Sequence, residues 1–152
     1  MLNDFPKLLG IAIRRRSRGE MLEISQAMVD KDFGVENDFR GSPGKRQVTV
    51  LSLEAWKDAC AELNDANHLL WTARRANLLI SGLNLEDSSG KLLRIGPVEL
   101  EITGETAPCS RMEEAHEGLQ TSLLPSWRGG ITCRVHSNGT ISIGDCVSLI
   151  NR

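Results

Sequence analysis

The sequence predicts a mainly β protein, with a β-barrel or curled-sheet core and two or three peripheral α-helices. Three observations carry this expectation. Eight or nine short segments have the apolar spacing of half-buried strands. Turn-forming residues separate them, most clearly Gly96–Pro97 and Asn138–Gly139. Only two stretches carry the longer apolar period of a helix, one after Ser52 and one after Cys109. Short strands at this density favour a barrel or curled sheet over a parallel α/β layer. A chain of 152 residues is expected to form a single domain, residues 1–152, with a real core.

In chain order, residues 7–13 read as the first strand, with Gly10 near its middle. Arg14, Arg15, Arg16 and Arg18 then form a basic turn ending at Gly19, either a solvated loop or an anion clamp built from guanidinium forks. Residues 21–29 have strand-like spacing. Residues 31–45 are polar and rich in Gly and Asp, a loop crossing a surface. Its glycine spacing is wrong for a P-loop and no helix follows it directly.

Residues 47–51 alternate as a strand. Ser52 then caps a helix with Glu54 in its first turn, and Leu53, Trp56, Cys60 and Leu63 form its buried stripe. A short segment with Trp71, Arg74 and Arg75 leads into a strand at 77–80. Strands at 92–95 and 98–103 are joined by Gly96–Pro97. The last sheet section has strands at 131–135, 140–143 and 146–150, with Asn138–Gly139 as a type I′ hairpin signal.

Composition narrows the function. Net charge is −2 and there is no tyrosine, so neither a general nucleic-acid footprint nor a base-stacking platform is expected. The start of the chain, with Asp4 and Pro6 ahead of a short apolar run, does not read as a signal peptide. No stretch is long enough to span a bilayer, and a cytoplasmic setting is expected. The four cysteines form no Cys-x-x-Cys pair, which argues against structural zinc. Cys60 and Cys133 fall in apolar rows and read as core, whereas Cys146 lies opposite its strand's apolar face.

Cys109 is different. It sits in GETAPCSRM, after the 98–103 strand and one residue before Ser110, the expected cap of a helix whose apolar positions are Met112, Ala115, Leu119 and Leu123. Ser110 and Glu113 have the spacing of a capping box. Free amides gather at such a helix mouth, and Arg111 adds a charge; both favour thiolate over thiol. The competing reading is a cysteine that only fills the strand-to-helix corner.

With GIAIRRRSRGEM, DFRGSPGKRQVTVLSLEAW, RRANLLISGL, LRIGPVELEITGETAPCSRM, RGGITCRV and GTISIGDCV in order, the chain resembles the MOSC family, named for the C-terminal domain of molybdenum cofactor sulfurases, and its small stand-alone bacterial kind in particular. The resemblance implies a pyruvate kinase β-barrel-like fold and a site for the molybdenum cofactor, a pterin dithiolene with a terminal phosphate. The family's functional cysteine falls on Cys109, as ligand to molybdenum or carrier of sulfur. The phosphate needs cations, and Arg40, Lys45, Arg46 and Arg75 lie in the matching segments. Arg111 stands beside the cysteine. Asn77 is placed to hydrogen-bond the pterin or to cap the turn before its strand. The family usually shows a Gly-Asp pair where this chain has Asn37-Asp38.

Three functions follow from this resemblance. The first is an oxidoreductase of N-hydroxylated or N-oxygenated compounds at a cysteine-ligated molybdenum. The chain has no flavin or iron–sulfur motif, so electrons come from a separate reductase. The second is a carrier that passes a Cys109 persulfide, loaded by a cysteine desulfurase, to a metal cofactor. The third is a non-catalytic module that holds an anion or a partner.

Overall fold

The computed structural model describes residues 5–151; Asp4 lies outside them. The strands are β1 (Lys7–Ile13), β2 (Leu22–Ile24), β3 (Gln26–Asp30), β4 (Gly34–Val35), β5 (Val48–Ser52), β6 (Leu78–Ser81), β7 (Leu92–Ile95), β8 (Val98–Glu105), β9 (Ile131–Ser137), β10 (Gly139–Ser142) and β11 (Val147–Ile150). The helices are α1 (Leu53–Ala61), α2 (Ser110–Ala115) and α3 (Leu119–Ser122), with short 3-10 turns at Trp71–Arg74 and Pro125–Trp127. The protein is mainly β, as expected. No helix among the described residues is long and apolar enough to cross a membrane.

Eight strands form one sheet in the order β11-β7-β8-β9-β5-β6-β1-β2, and β10-β3-β4 form a second. Neither sheet is closed into a barrel by a continuous ladder. The large sheet curls until the start of β1 meets the start of β11, where Lys7 bridges Cys146. Leu8 N–H donates to the Asp145 carbonyl at 2.8 Å and Val147 N–H to the Pro6 carbonyl at 3.1 Å. β5 and β6 are parallel, and α1 lies on the crossover between them.

Period-2 patterning divides the core. Val48, Val50, Leu78 and Ile80 face the interior of the curl with Leu100, Ile102 and Ile131. Their neighbours Leu51 and Leu79 face outward, under a cover of Trp56, Met112, Leu119 and Leu123 from the helices. β5 and β6 are thus covered on both faces, which is why they read as nearly unbroken apolar runs. Cys133 is fully buried in the inner cluster, and burial pushes its thiol well above the usual range. Cys60 is half-buried on α1, its thiol raised by the same cause.

The cap at Ser52 forms as its sequence requires: Ala55 N–H donates to Ser52 Oγ at 3.2 Å. Two other expectations fail. Asn138–Gly139 makes no hairpin, because β9 pairs with β8 and β5 while β10 pairs with β3. Asn138 is instead held by Lys31, whose N–H donates to Asn138 Oδ1 at 2.8 Å. Gly139 is needed for close approach, since a Cβ there would lie 2.9 Å from Pro97.

The helix after Cys109 is also not continuous. It ends at Ala115, where His116 turns extended, and restarts after Gly118 (φ 88°); Glu113 reaches forward rather than back. Its carboxylate accepts from Gly118 N–H at 2.7 Å and Gln120 N–H at 3.2 Å, so it caps α3 and leaves Ser110 alone.

One glycine beside the site carries a testable constraint. Gly130 has φ 102°, and a Cβ on it would lie 2.3 Å from the Val50 carbonyl oxygen. Gly130→Ala is expected to lose about 2–5 kcal/mol in urea unfolding, from combined backbone strain and overpacking.

Candidate anion and thiol site

The end of β1, the starts of β5 and β6 and the segment after β8 converge on a cleft of about 310 Å³. Seven arginines line it, Arg14, Arg18, Arg40, Arg46, Arg74, Arg75 and Arg111, together with Ser17, Thr49, Asn77, Thr106, Cys109 and Met112. No carboxylate is among the lining residues. A larger groove of about 520 Å³ beside Glu54, Asp58 and Trp127 contains neither a cysteine nor this arginine set.

Local structure explains how the arginines converge. The 3-10 turn Trp71–Arg74 ends on Arg75, whose φ of 65° turns the chain so that Arg74 is buried and Arg75 only half-buried. The 31–47 loop is pinned by buried Gln47. Its amide donates to the Lys31 carbonyl at 2.8 Å and the Gly41 carbonyl at 3.1 Å, and its oxygen accepts from Val135 N–H at 2.9 Å. Asn37 takes φ 69°, a conformation Asn tolerates better than most residues. Asp38 then accepts from the backbone N–H of Arg14 at 3.0 Å and of Arg40 at 3.3 Å, fixing both walls of the cleft.

Arg74 is the most constrained of the seven, at 7% exposure. Its Nε donates to the Gly129 carbonyl at 2.6 Å. One terminal nitrogen reaches Thr106 Oγ1 at 3.1 Å and the Thr106 carbonyl at 3.4 Å, and the other lies 3.8 Å from Met112 Sδ. All these partners are neutral, and no ion pair to Arg74 exists among the described residues. Burial pulls its guanidinium down to about 10, against a partial offset from Cys109 and further lowering by Arg46 and Arg14. A charge held out of water without a counter-ion is costly. Arg14 and Arg75 are also lowered, first by burial; Arg111 and Arg14 then lower Arg75, while for Arg14 a raising effect of Asp38 opposes Arg40 and Arg111.

Cys109 is exposed and is itself the cap residue of α2, one position later in function than its sequence suggests. Met112 Sδ accepts from Cys109 N–H at 3.3 Å and lies 3.9 Å from Sγ. Of the residues singled out from sequence, Arg40, Arg46, Arg75, Asn77, Arg111 and Cys109 are brought together here. Lys45 is not. It is exposed and lines a neighbouring depression with Phe39, Arg40, Pro43 and Arg46, and its backbone carbonyl accepts from Thr103 Oγ1. The Asn77 side chain ties strands together, accepting from Thr49 N–H at 3.1 Å and donating to the Ala12 carbonyl at 3.2 Å.

Arg14, Arg18 and Arg74 join the cleft although no cofactor role was assigned to them from sequence. Their signal was present in two basic runs free of acidic residues, RRRSR and RR.

The family model for the MOSC domain matches residues 20–148. The chain belongs to the MOSC domain family. Solved structures share the fold of this MOSC domain. The YuaD protein from Bacillus subtilis aligns with a TM-score of 0.82 at 18% identity, covering 97% of this chain and 96% of that one. YiiM from Geobacillus stearothermophilus aligns with a TM-score of 0.73 at 15% identity, over 97% of this chain and 76% of that one. YiiM from Escherichia coli gives 0.72 at 16%, over 96% and 70%.

The charge of this MOSC domain's cleft has a direct chemical consequence. Cys109 and Cys146 are both exposed, but only Cys109 stands among arginines. Anionic iodoacetate, relative to neutral iodoacetamide, is expected to label Cys109 about tenfold faster than Cys146 at low salt, by electrostatic focusing. Mass spectrometry of timed digests measures the ratio, and high salt should collapse it.

Proposed function

We propose that this MOSC domain binds the molybdenum cofactor in the arginine cleft, with Cys109 as protein ligand to the metal, and reduces N-hydroxylated compounds with electrons from a separate reductase. The observation that carries this reading is the buried guanidinium of Arg74, which has only neutral partners and stands in a carboxylate-free cleft with an exposed thiol. Such a site suits a ligand that is anionic and also binds soft sulfur. The donor set therefore fits the group: guanidinium forks for its phosphate and a thiol for a sulfur-loving metal. The cleft volume of about 310 Å³ is at the small end of ligand sites, so part of a pterin would remain outside it.

When bound, the cofactor supplies two-electron chemistry by which an N–OH bond is cleaved and its oxygen leaves as water. The chain's own residues do the rest. Arg40, Arg46, Arg75 and Arg111 supply exposed or half-buried positive charge to the cleft, from which the anion's partners are drawn. Arg74 fixes Thr106 and Gly129, and so the segment that presents Cys109. Thr49 and Asn77, bonded to each other, give the cleft a neutral floor.

A second reading is supported by the exposure of Cys109 and the absence of any other cysteine from the cleft lining. A persulfide there would meet no neighbouring thiol, as a sulfur carrier requires. One experiment separates the two. Protein made in a cofactor-producing host is given an aromatic amidoxime and a reduced viologen, and a parallel sample receives a cysteine desulfurase with labelled cysteine. Molybdenum-dependent amidoxime reduction supports the oxidoreductase. No turnover, with reductant-labile label on Cys109, overturns it in favour of the carrier.

A further inference from the structure

The cleft carries more positive charge than one phosphate answers, and its arginines are anchored on two separate walls. On one wall Arg46 and Arg74 both donate to Thr106 Oγ1, at 3.4 and 3.1 Å. On the other, Arg14 donates to the Arg75 carbonyl at 3.3 Å and Arg75 to the Gly19 carbonyl at 2.7 Å, with Arg18 in the same turn. Thr49 and Asn77 lie between the walls and are satisfied by each other and by Ala12.

Neither wall spends its guanidinium groups on carboxylates. Asp38 is the acid nearest Arg14, and its two oxygens are taken by the backbone amides of Arg14 and Arg40. A phosphate monoester brings at most about two negative charges, against six arginines once Arg111, which pairs with Glu114 at 3.8 Å, is set aside. Burial is the first cause that lowers Arg14 and Arg75; Arg40 and Arg111 add to the lowering of Arg14, and Arg111, Arg14 and Arg18 to that of Arg75.

We infer that the cleft is a two-seat anion site, one seat at Arg46 and Arg74 and the other at Arg14, Arg18 and Arg75, and that the seat left free by the cofactor's phosphate takes a carboxylate or phosphate group of the substrate. The substrate class is therefore anionic. This rests on the cofactor reading above only for what fills the first seat. The existence of two seats is a property of the chain alone.

Amide NMR of the cofactor-free protein, titrated with inorganic phosphate and separately with benzoate, tests it. The amides of Arg46 and Thr106 report one seat, and those of Gly19 and Arg75 the other. Arg46→Gln and Arg18→Gln alter exposed side chains and leave the fold intact. Each is expected to weaken anion binding about tenfold at its own seat, while the other seat changes by less than about twofold. Arg75→Gln should repeat the Arg18→Gln pattern. A single set of shifts that both variants weaken alike, or no anion response at Gly19 and Arg75, overturns the inference. Two seats in a protein that fails to retain molybdenum would sustain the inference and sink the cofactor assignment instead.

Discussion

Cys109→Ser is expected to reduce molybdenum retention through gel filtration by at least about a hundredfold, while the protein stays folded. Loss of a residue that merely supports a metal ligand costs about 10–100-fold in affinity, and loss of the ligand itself costs no less. The fold has little at stake. The residue is exposed, Sγ lies 3.9 Å from Met112 Sδ, and Met112 N–H donates to the Cys109 backbone carbonyl at 3.0 Å, which serine retains along with a hydroxyl able to cap α2. The thermal midpoint should therefore hardly move. The arginines remain, so phosphate binding to the cofactor-free variant should match wild type. A variant that loses phosphate binding along with molybdenum would mean that the thiol organises the cleft, not the metal.

Arg74→Gln should act in the opposite way, through the fold first. Two good hydrogen bonds from a charged donor and one long one are lost, each worth about 1.5–3 kcal/mol. Relief of burying the charge offsets about 3 kcal/mol, from a guanidinium held at about 10. The net expectation is a loss of roughly 1.5–6 kcal/mol in urea unfolding.

The sign of the pH dependence follows from the same lowering. The folded state binds the Arg74 proton less tightly than the unfolded chain, so this group's contribution to stability rises as pH climbs from about 10 and is smallest below it. Arg74→Gln should flatten that alkaline rise. It should also loosen the Thr106 segment, seen as faster amide exchange at Thr106 and Met112, which a defect confined to the helices would not produce.

Much of the architecture was legible because burial imposes period. β1 and β7 fall where alternation places them, and Ser52 caps α1 because a hydroxyl before an apolar helical run has a free amide to accept from. What failed was local grammar overruled by partners distant in sequence. Asn138–Gly139 has the composition of a hairpin, but β10 pairs with the distant β3, and the Lys31–Asn138 bond beside that pairing joins residues 107 apart. Glu113 has capping-box spacing, but the helix ends at Ala115 and the next turn offers it the amides of Gly118 and Gln120.

The site was legible at Cys109 and at the arginines next to recognisable motifs. It was not legible at Arg74, because nothing in the dipeptide Arg74–Arg75 says which member turns inward. That choice is made by the left-handed backbone of Arg75 and by the carbonyls of Thr106 and Gly129, which come from other parts of the chain. Lys45 shows the converse: a cation in the matching segment that does not line the cleft, although its neighbour Arg46 does.

We propose that the arginine cleft with its accessible thiol holds a molybdenum pterin. Elemental and pterin analysis of wild-type protein purified from a cofactor-producing host tests it most directly. Stoichiometric molybdenum and pterin in the folded protein is the predicted result. Well-folded protein carrying neither would contradict the account.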